Sequence, residues 1–168
     1  MGLTYYGYGV KGKFNILYEL GEEIKDVKAL KVSGNNLYVL YSHKVTRRNL
    51  ATNSCMEIIL PDECSPHHAA PTATGIIFTA PITHQLFTIE NTELHVFAGD
   101  GREGHKDGIA SKSRFRQLLR VSVKFGSGVY LTDAQSDCIT ISNISIALVV
   151  RKSPPLLPSI TPDPFAAP

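Results

Sequence analysis

The sequence predicts an all-β protein built from repeated units of short antiparallel strands. Apolar runs rich in strand-forming residues follow turn residues at three places, 37–41, 75–79 and 128–132. The run that begins at Gly75 aligns without a gap on the run that begins at Gly128, a shift of 53 residues, and the first run aligns on the second at a shift of 39. No sustained helical periodicity accompanies these runs, so strands dominate the prediction.

These shifts define a period of about 40 residues with one insertion of about a dozen, which is typical of β-propeller blades of four antiparallel strands. We therefore predict an incomplete propeller of about three such blades. In the first blade the predicted strands are 29–33, 37–42, 44–50 and 55–60. In the second they are 69–74, 76–80, 85–89 and 94–98. In the third they are 119–125, 128–132, 138–142 and 145–151, and residues 14–20 are one more strand, at the edge of a preceding blade.

Composition divides the chain into three parts. Residues 1–13 are predicted as an N-terminal extension, 14–152 as the blades, and 153–168 as a disordered tail, because the tail holds six of the ten prolines and proline cannot continue a sheet. The blades are expected at about 22–61, 62–100 and 101–152. Pro155 and Pro158 match the PxxP spacing that SH3 domains bind, but a dangling end is the favoured interpretation.

Composition also excludes several classes of protein. Of the 168 residues, 43% are hydrophobic and 19% are charged, as in ordinary globular domains. The formal net charge of +2 is too small to indicate nucleic-acid binding by itself. No apolar run approaches the ~18 residues of a membrane span, and the N-terminus lacks a signal-peptide pattern. The 3 cysteines leave at least one unpaired, which favours a reducing compartment, so we expect a cytoplasmic protein.

Three blades would leave a propeller ring unclosed, with apolar blade faces open to solvent. Three explanations stay open at this point. The chain is a piece or a splice form of a longer protein, two copies pair to complete a six-bladed ring, or strands of a smaller closed fold have been missed. The change to a proline-rich tail after Lys152 favours the first explanation.

The insertion before the third blade carries the most specific motif. An aliphatic-Ala-Gly sequence ends at Gly99, a glycine-rich loop with Asp-Gly follows, then Ala110 and Arg114-Phe115, and finally Tyr130-Leu131-Thr132-Asp133. This order resembles the NHL repeat, most strongly over residues 94–142. Two segments depart from the family pattern, 118–121 in place of Pro-x-Gly-Val and 136–138 in place of Asn-His-Arg, which puts in doubt any partner contact made there.

Each motif residue has a physical role that can be stated in advance. The loop glycines are expected at positive φ, namely Gly99, Gly101, Gly104 and Gly108. Phe115 should anchor the loop by packing between neighbouring sheets, and Asp133 should cap the turn that follows it. Asp107 and Tyr130 complete the motif as the loop aspartate and the strand aromatic.

A basic stretch, residues 112–124, is the leading candidate for partner binding because it carries five cations and no acid. Cations that hold phosphates and rings that stack on bases would bind single-stranded RNA. The favoured interpretation is a solvated loop and strand edge with Phe115 buried. The residues predicted to contact a partner are Arg114, Arg116 and Arg120, with His105 and Lys106 in the insertion loop.

Two other clusters could carry chemistry. Cys64, His67 and His68 could seed a metal site completed by His84, His95 or Cys55, but the paired spacings that zinc favours are missing. Asp100, Asp107 and Asp133 could hold calcium or act as acid and base, although aspartate in glycine-rich turns is explained more simply by turn formation. We therefore expect no metal or other cofactor and no catalytic residue.

The sequence as a whole favours a non-catalytic binding module. A propeller offers a rigid disc whose loops hold a partner, and the resemblance to NHL proteins implies a scaffold for protein–protein contact. Single-stranded RNA binding through residues 112–124 is the alternative. A propeller-type metal-dependent hydrolase or lyase is the least favoured function. Self-association to complete a ring also stays open, and no membrane partner is expected.

Overall fold

The computed structural model describes the backbone of residues 2–8, 14–23, 26–124, 128–134, 138–143 and 148–152, and the side chains of 26–124 and 128–134. In these ranges the chain forms fifteen strands, and a short 3-10 turn, η1, lies at Ala110–Lys112. The strands are Gly2–Tyr8 (β1), Phe14–Glu23 (β2), Val27–Ser33 (β3), Asn36–Tyr41 (β4), Lys44–Asn49 (β5), Cys55–Ile59 (β6), His68–Pro71 (β7), Gly75–Ala80 (β8), Gln85–Glu90 (β9), Glu93–Ala98 (β10), Gly108–Ile109 (β11), Leu118–Lys124 (β12), Gly128–Asp133 (β13), Cys138–Asn143 (β14) and Leu148–Lys152 (β15).

Twelve of the strands, β3–β10 and β12–β15, form three antiparallel four-stranded meanders in which neighbours in sequence are neighbours in space. The first sheet has the order β3-β4-β5-β6, the second β7-β8-β9-β10, and the third β12-β13-β14-β15. The edge strands β3, β7 and β12 lie in contact from one sheet to the next. Stacked four-stranded meanders that meet along their first strands are the arrangement of propeller blades, so the predicted fold class is confirmed.

The structure also differs from the predicted strands at several points, since β7 ends at Pro71 and β2 continues to Glu23. The two-residue strand β11 pairs with β15, so the third sheet has a fifth strand. β15 is described over Leu148–Lys152, and residues 145–147 of the predicted strand lie outside the described residues. β1 lies within the segment predicted as an extension and pairs with β2 in a separate two-stranded sheet. The predicted tail, 153–168, lies outside the described residues.

Alternation along the middle strand of each sheet explains the stacking, because successive side chains of a strand point to opposite faces. Every residue of β8 is buried. Ile76 and Phe78 pack in a cluster shared with the first sheet, whereas Ile77 packs in a second cluster with the third sheet. The second sheet is therefore the central layer, and its continuous apolar run follows from having both faces covered.

The same alternation holds on either side of the central layer. Tyr38 and Leu40 of β4 face the second sheet, and Val129 and Leu131 of β13 also pack toward it. Phe78 and Phe87 stack with ring centroids 5.6 Å apart within the first of these cores. Burial of this kind contributes about 25 cal/mol per Å² of apolar surface and holds neighbouring sheets together.

Gly75 begins β8 at a point where two backbones come unusually close. A Cβ atom at this position would lie only 1.8 Å from the Ile89 carbonyl oxygen of β9. Only glycine can therefore occupy the start of this strand without displacing its neighbour.

In the part of the chain that the structure describes, no helix is long and apolar enough to cross a membrane.

Candidate functional site

Residues 99–117 cross from β10 to β12 and cover one end of the second sheet. Gly99 N–H donates to Ala110 O and Asp100 N–H donates to Ser113 O, each over 2.9 Å. Further along, the main chains of Lys106 and Arg114 bond to each other. These bonds fold the insertion onto itself, so it is an ordered crossing loop.

Three of its four glycines have the expected conformation. The φ angles are 104° at Gly99, 82° at Gly101 and 127° at Gly108. A Cβ on Gly99 would also lie 2.5 Å from the His84 carbonyl oxygen, so the loop can approach the β8–β9 turn only with glycine here. Gly104 is not among the positive-φ residues, so that prediction was wrong. This glycine instead makes room for the Arg114 side chain, whose Cδ would lie 3.1 Å from an added Cβ.

Phe115 anchors the crossing loop as expected. Its side chain is fully buried in the cluster between the second and third sheets, which also contains Ile77, Leu86 and Leu118. A buried ring of this size holds the loop through apolar burial, worth about 1.5–3 kcal/mol for a side chain of this class. The same burial removes the ring from any surface on which a base could stack.

Asp133 ends β13 and fastens the far end of the loop. Its buried carboxylate accepts the Gln117 N–H at 2.7 Å and the Arg116 N–H at 3.2 Å. These bonds run back to the residues that precede β12. The turn that Asp133 was expected to cap, residues 135–137, lies outside the described residues.

Asp100 is occupied by the loop as well. Its Oδ2 accepts a hydrogen bond from Arg114 Nε at 2.7 Å, and its Oδ1 accepts the Arg102 N–H at 3.0 Å. The Arg114 side chain lowers the pKa of the Asp100 carboxyl, and the Arg102 N–H acts in the same direction. Arg114, which the sequence assigned to partner binding, therefore also has a structural role.

The other predicted contact residues lie at the surface in two separate places. His105, Lys106 and Arg116 are exposed on the crossing loop. Arg120 is exposed on β12, where it lines a cavity of about 480 Å³ together with Tyr130 and Thr132 of β13 and His68 of β7. The basic stretch is thus divided among η1, the loop and the edge strand β12, and does not form one continuous patch.

Three histidines join the second sheet to the third, a role that the sequence did not reveal. His67 Nδ1 donates to Leu119 O at 2.9 Å, and His84 Nδ1 donates to Arg116 O at 3.0 Å. His68 Nδ1 has the opposite role, since it accepts the Val121 N–H at 3.3 Å. These partners are 32 to 53 residues away in sequence, and no local pattern could have identified them.

His68 accepts that hydrogen bond only when Nδ1 carries no proton, which requires the neutral imidazole. Burial lowers its pKa, and the nearby charges of Lys31 and Arg120 act in the same direction. The environment therefore favours the form that holds Val121.

The residues proposed for a metal site are dispersed. Cys64 is buried in the core between the first and second sheets, where burial raises its thiol pKa to about 11. Cys55 is exposed at the start of β6, and His95 Nε2 lies 3.3 Å from Glu93 Oε2 on β10. Among the side chains that the structure describes, no group of three or more His, Cys, Asp or Glu is placed to hold a metal ion.

Loops and turns at one end of the sheets form a common surface, here called the loop face. It consists of the turns 42–43 and 81–84 and the connecting loops 60–67 and 99–117. Leu60 N–H donates to His43 O at 2.9 Å, which joins the loop 60–67 to the turn 42–43, and the His84–Arg116 bond joins the turn 81–84 to the loop 99–117. Ile82 in one turn is 60% exposed, and Ile59, at the same end of β6, is 69% exposed. The loop face thus combines exposed cations with exposed apolar side chains.

No protein-family model matches the chain, and no curated protein matches it. Solved structures do share its fold. A catalytically inactive virginiamycin B lyase from Staphylococcus aureus, crystallised with quinupristin, matches with a TM-score of 0.63 at 15% identity, over 90% of this chain and 48% of that one. A chain of the nidogen/laminin complex matches with a TM-score of 0.57 at 12% identity, over 84% of this chain and 52% of that one. A structural genomics protein of unknown function from Bacteroides thetaiotaomicron matches with a TM-score of 0.59 at 16% identity, over 74% of this chain and 35% of that one.

The chain spans between about a third and a half of the length of these neighbours, with covered shares of 35%, 48% and 52%. Identities this low show the fold alone. The lyase and nidogen structures are β-propellers, and the present chain has the same stacked four-stranded sheets. The chain therefore has an all-β, incomplete β-propeller fold.

Proposed function

We propose that this chain is a non-catalytic, NHL-like propeller module whose loop face holds a protein partner. The observation that carries the proposal is that the acidic residues of the crossing loop hold its shape while several of its basic residues lie at the surface. Asp100 and Asp133, the acids considered for chemistry, are bonded to the crossing loop and fix its shape. On the same loop, the residues His105, Lys106 and Arg116 are exposed.

The chemistry of the loop face indicates what kind of partner fits it. Arginine and large apolar side chains are enriched where proteins bind each other, and lone cations at the rim mainly steer the encounter. Ile82 and the Arg116 main chain are joined through the turn that contains His84. The surface therefore suits a protein segment that carries an apolar anchor beside acidic side chains.

Single-stranded RNA is the alternative ligand, and the structure supplies less support for it. Stacking platforms require exposed aromatic rings beside cations. The aromatic residue of the basic stretch is Phe115, and its ring is fully buried. Arg114 is paired with Asp100. The remaining cations are separated between the loop and β12.

An enzymatic function is the least favoured alternative. The virginiamycin B lyase shares the propeller fold at 15% identity, which says nothing of its chemistry in this chain. The carboxylates of Asp100 and Asp133 accept main-chain N–H groups, and Asp100 also pairs with Arg114. As for compartment, buried Cys64 and exposed Cys55 are both unpaired thiols, which suits the cytoplasm.

Site-specific photo-crosslinking tests the proposal. A photoreactive amino acid replaces Ile82 on the loop face, and a matched control replaces Thr74, which is exposed in the β7–β8 turn at the opposite end of the sheet. We expect the Ile82 probe to capture a defined protein from cells, and the Arg116→Glu change to weaken binding of that purified protein. Equal capture at Thr74, or binding unaffected by Arg116→Glu, would contradict the proposal.

The RNA alternative has its own measurement. A random single-stranded RNA oligonucleotide is titrated at several salt concentrations, because phosphate contacts weaken linearly in log affinity as log salt rises. We expect no salt-dependent binding in the range where the crosslinked protein binds. Strong binding that falls steeply with salt and is lost in Arg116→Glu and Arg120→Glu would favour RNA as the ligand.

A further inference from the structure

The outer face of the third sheet carries side chains at the same repeat positions that the second sheet uses to pack against its neighbour. No further sheet covers this face among the described residues. Along β13, Val129 and Leu131 are buried against the second sheet, whereas Tyr130 is half-buried and Thr132 is exposed. Tyr130, Thr132 and Arg120 line the 480 Å³ cavity, which also reaches His68 of the second sheet. At the equivalent positions of β8, which the 53-residue shift identifies, Ile77 and Thr79 are both fully buried by the third sheet.

The equivalence extends to hydrogen bonds. Thr79 Oγ1 accepts the His68 N–H at 3.1 Å and itself donates across the sheet boundary to Leu119 O at 3.2 Å. Thr132 Oγ1 accepts the Arg120 N–H at 3.2 Å in the same way. The Thr79 hydroxyl also lies 3.3 Å from His68 O in its own sheet. The third sheet thus repeats the arrangement from which the second sheet holds its neighbour, and a main-chain carbonyl of a further sheet would complete the equivalent contact of Thr132.

The opposite end of the stack is not open in this way. Leu37 and Val39 lie on the face of the first sheet that points away from the second, and both are buried. Only one of the two end faces whose side chains are described therefore lacks a cover. A sheet that a second molecule supplies to that face makes the contact directional, from one end of the stack to the other.

Charge and length identify the sheet that fits. The open face carries Arg120, and Lys124 is exposed further along the same strand. β1 contains no charged residue, and β2 contains three glutamates and no cation. β1 and β2 also form a sheet of two strands where the others have four or five. One chain covers 48% of the lyase propeller, so two chains provide about one full ring.

We propose that the open face of the third sheet binds the β1–β2 sheet of a second copy of this chain, in a closed two-copy ring. Each copy gives its outer third sheet to one junction and its N-terminal sheet to the other, so two like contacts close the ring. Arg120 and Lys124 face an acidic strand across each junction, and Thr132 donates to a main-chain carbonyl, as Thr79 does within the chain.

Two complementary variants of the full chain test this arrangement. In the face variant, Arg120→Glu and Lys124→Glu make the open face acidic. In the sheet variant, Glu19→Lys, Glu22→Lys and Glu23→Lys make the N-terminal sheet basic. Each variant alone brings like charges together at both junctions. A mixture of the two pairs opposite charges at both junctions, so the ring forms from one copy of each.

Light scattering after size-exclusion chromatography measures the outcome. We expect the natural chain at about 37 kDa, twice 18.4 kDa, each variant alone near 18.4 kDa, and the mixture again near 37 kDa. Circular dichroism confirms that each variant folds, and Thr74→Glu is the control that leaves the dimer intact. A natural chain that stays monomeric at all concentrations would overturn the proposal. So would variants that dimerise alone, or a mixture that stays monomeric although both variants are folded.

Discussion

Removing the Asp133 carboxylate should release the crossing loop from the third sheet. The carboxylate is buried and accepts main-chain N–H groups from Gln117 at 2.7 Å and Arg116 at 3.2 Å. Hydrogen bonds to a charged group contribute about 1.5–3 kcal/mol each. The Arg116 and Gln117 side chains are exposed, so water can reach their N–H groups and replace part of the loss. We therefore expect Asp133→Ala to lower the free energy of unfolding by about 3 kcal/mol.

Urea unfolding followed by far-UV circular dichroism measures this loss. Asp133→Asn keeps one acceptor oxygen, so it should lose about half as much as Asp133→Ala. Asp62→Ala removes an exposed carboxylate from a turn and should stay within about 0.5 kcal/mol of the natural chain. If Asp133→Ala also stays within about 0.5 kcal/mol, the carboxylate does not hold the loop and the reasoning fails.

Three further predictions concern the core and the sheet boundary. Gly75→Ala places a methyl group against the Ile89 carbonyl, so we expect a loss of at least about 2 kcal/mol in thermal unfolding, and a Tm within a degree of the natural chain would contradict this close approach. The pKa of His68 is lower in the folded chain than the value of 6.5 in the unfolded chain. The stability that neutral His68 contributes is therefore full above pH 6.5 and is lost as the pH falls from there through the pKa of the folded state. Urea midpoints should therefore decline below pH 6.5, and less so in His68→Gln; identical slopes in the two chains would count against this linkage. Burial raises the pKa of the Cys64 thiol to about 11 and shields it from reagents, so a maleimide should label Cys64 far more slowly than exposed Cys55, and equal rates would show that the site is open.

The strand framework could be predicted because it depends on local properties. Apolar runs at 75–79 and 128–132, with glycine at their start, form strands wherever their faces are covered. The positive φ of Gly99 and Gly108 and the burial of Phe115 follow from the same short-range reasoning. These features need only the chain's own periodicity and the conformational freedom of glycine.

The candidate site was predicted only in part. His105, Lys106 and Arg116 are exposed on the crossing loop as the sequence indicated. Arg114 differs because Asp100, fourteen residues earlier, is brought within 2.7 Å of it by the fold of the loop. Arg120 belongs to another surface, since β12 carries it onto the outer face of the third sheet. The basic stretch is continuous in sequence but divided in space.

The sequence by itself determined that this chain forms three repeated units of antiparallel strands joined by a glycine-rich crossing. Only the tertiary structure decided which identical patterns are covered and which are open. Ile77 and Tyr130 hold the same position in the repeat, yet the first is buried and the second is half-buried, because a further sheet packs on only one of them. A strand's alternation fixes which side chains share a face, but burial of that face depends on a neighbour tens of residues away.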